Sequence, residues 1–132
     1  MTLEHLSPAG LAPSPPSYSH VVVATGARTI YVAGQVAVDA DGALVADGDR
    51  LGQLERSLAN VETALTAASA GLADVVRLTI YVVEWDPALR PGLIERLHQT
   101  FGDRPPTNTL VGVQALALPD FLVEVDAVAV TD

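Results

Sequence analysis

The sequence predicts an α+β fold: one sheet with two helices packed on a single face. Five segments rich in β-branched and aromatic residues alternate with only two segments of helical period, in the order β-β-α-β-α-β-β. Two helices cannot cover both faces of such a sheet, so the second face is left to solvent or to another subunit. The chain is 132 residues long, 49% apolar and 17% charged, which suits one domain with a real core and a surface short of charge. That shortage fits either an interface on the surface or simply a core rich in Ala and Val.

Ser7 to Ser19 holds Pro8, Pro13, Pro15 and Pro16, which fix φ and remove donors. Residues 1–19 are therefore expected to form an extended arm ahead of a single domain at 20–132. His20 to Ala24 and Thr29 to Ala33 are β-rich and separated by Thr25-Gly-Ala-Arg28, the spacing of a hairpin. Gly34-Gln35 then interrupts the second run before Val36-Ala-Val38, predicting a bulge where backbone comes close to something. Asp39-Ala-Asp-Gly42 is a turn.

From Asp49 to about Ala70 the period changes. Leu51, Leu54, Leu58, Val61, Leu65 and Ala68 recur every three or four residues, one stripe of a helix that Asp47 or Asp49 caps and Gly71 ends. Arg77 to Trp85 is a strand. Asp86-Pro87 opens a second helix with stripe Leu89, Leu93, Leu97 and Phe101, closing near Gly102. After Arg104-Pro-Pro106 come two strands, about Thr109 to Leu116 and Leu122 to Val130, joined around Leu118-Pro-Asp120.

Charge excludes whole classes of function. The net charge is −9, and the seven basic residues are all Arg and dispersed, so the chain has no basic face for nucleic acid or an anionic membrane. Without Lys, no Schiff base to a side chain forms, which removes lysine-dependent aldolase and pyridoxal chemistry. Without Cys there is no disulfide framework, thiol nucleophile or thiolate metal site. No HxH or HExxH spacing points to a metal. No apolar run approaches the ~20 residues of a membrane span. The N-terminus lacks the basic start and apolar run of a signal peptide, so a cytoplasmic protein is expected.

The last strand carries the best chemical candidate. Val123, Val125, Ala127 and Ala129 share one face, while Leu122, Glu124, Asp126, Val128 and Val130 share the other. A carboxylate among apolar neighbours has its neutral form favoured, which suits proton transfer. The alternative is that both acids keep an exposed sheet face soluble. Tyr18, beside the Pro-rich stretch, either lids a pocket or staples the arm to the domain. His98 reads as solvated, His20 at the start of the first strand as a surface residue or one near a site, and Trp85, Tyr31 and Tyr81 as core or sheet-surface residues.

Four segments together resemble the Rid family of reactive-intermediate deaminases, also called YjgF: Pro16-Ser-Tyr-Ser-His20, Val32-Ala-Gly-Gln-Val36, Leu58-Ala-Asn-Val-Glu62 and Leu122-Val-Glu-Val-Asp-Ala-Val-Ala-Val130. They span nearly the whole chain in the family's order. The resemblance implies a chorismate-mutase-like fold and a homotrimer with ligand clefts between subunits. It implies hydrolysis of 2-imino acids or their enamine tautomers to 2-keto acids and ammonia, without a cofactor. Glu124 then handles the water or proton, with Tyr18, Gly34 and Gln35 around the substrate. The family's arginine, which holds the substrate carboxylate, is replaced by Asn108 in Pro105-Pro-Thr-Asn-Thr109. Arg104 stands four residues upstream, roughly 13 Å away in extended chain. Asn108 suits a neutral carbonyl or amide, so the resemblance implies either a hydrolase for an uncharged imine or enamine, or a module that binds a small metabolite without turnover. Chorismate-mutase chemistry needs cations around a dicarboxylate, against which Asn108 argues.

Overall fold

The computed structural model describes all 132 residues. In chain order the elements are β1 (Thr2–Leu6), β2 (Val21–Thr25), β3 (Arg28–Val36), α1 (Arg50–Ala67), β4 (Val75–Val83), α2 (Arg90–Phe101), β5 (Thr107–Val113) and β6 (Val123–Thr131). Strands β3 to β6 form one sheet in the order β3-β6-β4-β5, with β4 and β5 parallel and the other pairs antiparallel. Both helices pack on one face of it. Leu54, Leu58, Val61 and Leu65 of α1 and Leu93 and Leu97 of α2 bury against Leu78, Ile80, Val82, Val123, Val125, Ala127 and Ala129. The α+β architecture expected from the periodicity is the one observed.

Local chemistry sets the element ends. Asp49 caps α1, its Oδ1 accepting from the Gly52 N–H at 3.0 Å. The helix stops at Ala67, before the expected end at Gly71, because Ser69 turns left-handed at φ 58°. Asp86 and Pro87 start a 3-10 turn that leads into α2, and Gly102 ends α2 at φ 67°.

Two expectations near the N-terminus need correction. The segment read as an arm contains β1, and β2 pairs with β1 (Thr2 opposite Thr25, Leu6 opposite Val21), not with β3. The reason lies at Gly26. It is not in a positive-φ turn conformation; a Cβ added there would stand 2.6 Å from the Thr131 carbonyl oxygen and 2.9 Å from Val130 Cγ1. The glycine lets the chain pass close over the end of β6 on its way into β3. The β1–β2 hairpin is tied to the start of β5 by Ser19 N–H donating to the Pro106 carbonyl at 3.0 Å and by Arg104 Nη2 donating to the Leu3 carbonyl at 2.6 Å. No helix is long and apolar enough to cross a membrane.

The register decides which side chains share the uncovered face. Thr79, Tyr81, Glu124, Asp126, Val128 and Tyr31 lie there, opposite the helices. Tyr31 is 79% exposed, an aromatic ring on a sheet face with nothing from its own chain over it.

Candidate functional site

Glu124 sits at the start of β6, flanked by Tyr81 of β4 and Val36 of β3. Between Val32 and Gln35 the β3 register slips, so that Ala33 and Gly34 together oppose the single position of Asp126. This is the bulge expected at Gly34. The close approach it makes is to the Glu124 side chain: a Cβ on Gly34 would lie 2.5 Å from Glu124 Oε2, 2.7 Å from Cδ and 3.0 Å from Cγ. The carboxylate therefore lies across bare backbone. Asp126 accepts a long hydrogen bond, 3.4 Å, from Tyr81 Oη. None of the three ion pairs involves Glu124 or Asp126; the cation on this face, Arg77, stands further along it beside Val128.

The bulge leaves Gly34 and Gln35 in different places. Gln35 aligns with Val125, on the helix side of the sheet, and its Nε2 donates to the Ala33 carbonyl at 3.1 Å. Of this pair, only Gly34 meets Glu124.

The glycine contacts give a differential prediction. Gly34→Ala pushes against the far end of a flexible side chain that can swing aside, and is expected to cost about 1 kcal/mol. Gly26→Ala pushes against the Thr131 backbone, which cannot yield, and is expected to cost about 3 kcal/mol. Urea unfolding of the two variants measures both; equal losses would mean that the Glu124 side chain is as immobile as a strand backbone.

Asn108 and Tyr18 lie elsewhere. Asn108 aligns with Leu78, whose side chain is in the core, so it points from β5 toward the helix side, away from the face of Glu124. Glu124 is beside Tyr81, three residues (roughly 10 Å) further along the sheet and two strands (roughly 10 Å) across. The Asn108 Oδ1 is buried with no hydrogen-bond donor, an uncommon state for a buried acceptor. Tyr18, half-buried, meets the His20 ring edge-on at 5.4 Å. It lines a groove of about 520 Å³ together with His5, His98, Asp103 and Arg104. One chain thus gathers Glu124 and Gly34 at one place, and Tyr18 near the start of β5 at another.

His5 escaped the sequence reading because it lay in the supposed arm. Its Nδ1 is 2.9 Å from Ser19 Oγ and 3.1 Å from the Pro105 carbonyl. A carbonyl only accepts, so Nδ1 carries the hydrogen. Burial, and then the Arg104 guanidinium, hold the imidazole pKa below its usual 6.5, against the opposing pull of the Pro105 carbonyl. A depressed folded pKa means that the unfolded chain takes up the proton first. The stability tied to neutral His5 is therefore present above about pH 6.5 and lost as pH falls through the folded value. His5→Gln is expected to flatten that part of the pH profile; urea midpoints of both proteins from pH 7.5 to 5 check it, and parallel profiles would refute it.

No three His, Asp or Glu side chains gather closely enough to hold a metal ion.

Comparison with known proteins adds a family to this geometry. The model of the family described as endoribonuclease L-PSP matches residues 10–131. A RutC family protein of Pyrococcus abyssi is 32% identical over 100 residues, 76% of either chain. The crystal structure of YyfB from Yersinia pestis, a Rid family protein of unknown function, superposes with TM-score 0.94 at 41% identity, covering 98% of this chain and 99% of that one. TdcF of E. coli, solved with bound serine, superposes with TM-score 0.68 at 25% identity over 96% and 94% of the two chains.

Proposed function

The chain belongs to the Rid/YjgF (endoribonuclease L-PSP) family, and from that membership we propose that it is a small-molecule hydrolase of the imine or enamine deaminase type. The observation that carries the proposal is the contact of the Glu124 carboxylate with the Gly34 bulge on the open sheet face. At Gly34 the carboxylate lies beside bare backbone, so on that side a ligand can reach it without meeting a side chain; Val36 is its neighbour on the other. Glu124 takes a proton from water as the oxygen attacks the C=N carbon and passes it to nitrogen. The carbinolamine then returns its hydroxyl proton by the same carboxylate as ammonia leaves, giving a carbonyl product. An enamine enters the same path once it is protonated at carbon. No cofactor is needed for either route.

Tyr18 and Asn108 do not meet Glu124 within one chain. If they contact the same substrate, a second copy supplies them, and the uncovered face with its exposed Tyr31 is where copies meet. A homotrimer with clefts between subunits, working in the cytoplasm, is the assembly this reading takes. Asn108 offers an amide where a carboxylate needs a cation, so the preferred substrate is an imine or enamine without a carboxylate beside the C=N carbon. The endoribonuclease of the family description is disfavoured for this chain: net charge −9 and dispersed arginines give no cationic track for RNA. Ammonia release from freshly generated 2-iminopropionate and from uncharged imines is the direct assay. No acceleration on either would refute the hydrolase.

A second reading has its own support. Asn108 in place of a cation, and a structural relative solved with serine, fit a module that holds a small metabolite without turnover. A ligand-dependent rise in Tm with no ammonia release favours it over the hydrolase.

A further inference from the structure

We infer that Gln53 and Asn60, two amides on the buried side of α1, are positioning residues for Glu124. Residues 53 and 60 are seven apart, two turns of helix, and so share one stripe. One amide holds the chain entering β6, which carries Glu124, and the other holds the end of β3 across from it.

Gln53 is completely buried, and its amide has partners on both sides. Its Oε1 accepts the Leu122 N–H at 2.8 Å; its Nε2 donates to the Asp120 carbonyl at 3.0 Å and, at longer range, to Ala46 at 3.4 Å. Leu122 stands two residues before Glu124, so the amide grips the chain as it enters β6. The Leu122 carbonyl is taken in turn by Val83 N–H at 2.9 Å, which ties the same residue to the end of β4. Asn60 holds the other wall. Its Nδ2 donates to the Val36 carbonyl at 2.9 Å and to the Val38 carbonyl at 3.0 Å. Val36 is the residue directly across from Glu124, just beyond the bulge.

The need for such a clamp follows from the bulge. A slipped register leaves its ladder locally broken, so β3 has fewer bonds to β6 at the point where Gly34 must lie against the carboxylate. The clearance there is less than a Cβ atom requires. Small relative movement of the strands opens or shuts that slot. One helix gripping both strands by their backbone sets the gap, whatever the neighbouring apolar contacts do.

The inference rests on Glu124 being the functional carboxylate, but its test does not need activity. In the full-length protein, the nuclear Overhauser effect between Gly34 Hα and Glu124 Hγ reports the slot directly. Gln53→Met keeps the length of the side chain and removes its hydrogen bonds; Asn60→Ala removes those of the half-buried second amide. Each variant is expected to reduce that effect by more than half, while the cross-strand signals between Tyr81 of β4 and Val111 of β5 persist. Where an imine is turned over, kcat is expected to fall about tenfold or more at unchanged KM, as misplacement of a catalytic group does. An unchanged Gly34–Glu124 signal in folded variants would overturn the inference. So would failure of both variants to fold, which assigns the amides to the fold alone. Inactivity of the native protein with loss of the signal in the variants would sink the hydrolase and leave the clamp standing.

Discussion

Glu124→Gln is expected to lower ammonia release from an accepted imine by about 100- to 10,000-fold, the range that a positioned acid or base contributes. Gln keeps the length and planarity of Glu, so it lies against the Gly34 bulge as the carboxylate does. What it loses is the ability to take and return a proton. Stability is expected to change by less than about 0.5 kcal/mol, because Glu124 is half-exposed and has no ion pair to lose. Substrate binding, read from KM, is expected to hold, since a neutral amide fits the same space. A Glu124→Gln protein that turns over as fast as the native one would return Glu124 and Asp126 to the role of solubilising a sheet face. Asp126→Asn supplies the internal comparison: its side chain has the Tyr81 hydroxyl near it, while the atoms closest to Gly34 belong to Glu124, and it is expected to fall much less.

The helices were legible because burial imposes a period. Leu54, Leu58, Val61 and Leu65 recur at the helical spacing and all lie in the core. The alternation of β6 was equally clear, and it placed Glu124 and Asp126 opposite Val123 and Val125, as observed. Pairing was less legible, since strand character says nothing about the neighbour. Thr25-Gly-Ala-Arg28 had hairpin spacing, yet Gly26 serves a close passage over Thr131. With five residues and a Pro-rich loop before its partner, β1 gave too short a pattern to read, and His5 went unread with it. The sequence offers candidate residues but not where they lie. Register, which sequence does not display, puts Asn108 on the helix side and Glu124 on the open side. The Gln53 and Asn60 amides were hidden for a related reason: polar residues beside an apolar stripe read as solvated until their backbone partners are seen.

Asn108→Arg is expected to shift selectivity toward 2-iminopropionate, raising its kcat/KM relative to an uncharged imine by about 30-fold or more. A buried charge-assisted pair between guanidinium and carboxylate is worth about 2–5 kcal/mol, and each 1.4 kcal/mol is a factor of about ten. Little is given up in return, because the Asn108 Oδ1 makes no hydrogen bond in the native chain. Room for the longer side chain comes from its position: β5 is the outer strand of the sheet, paired only with β4, and the guanidinium can extend past that open edge. Arg28, Arg50, Arg56, Arg77, Arg90, Arg96 and Arg104 remain as they are, so a gain belongs to the new residue alone. Competition between the two substrates in one reaction, followed by product ratio, measures the shift without needing absolute rates. Arg104 provides the control, because it already lines the groove of Tyr18 while donating to the Leu3 carbonyl. If Arg104 were reading the carboxylate, the native protein would already favour 2-iminopropionate, and Arg104→Gln would abolish that preference. An Asn108→Arg protein that folds and shows the native product ratio would mean that position 108 does not face the substrate, and that Asn108 is not what excludes the carboxylate.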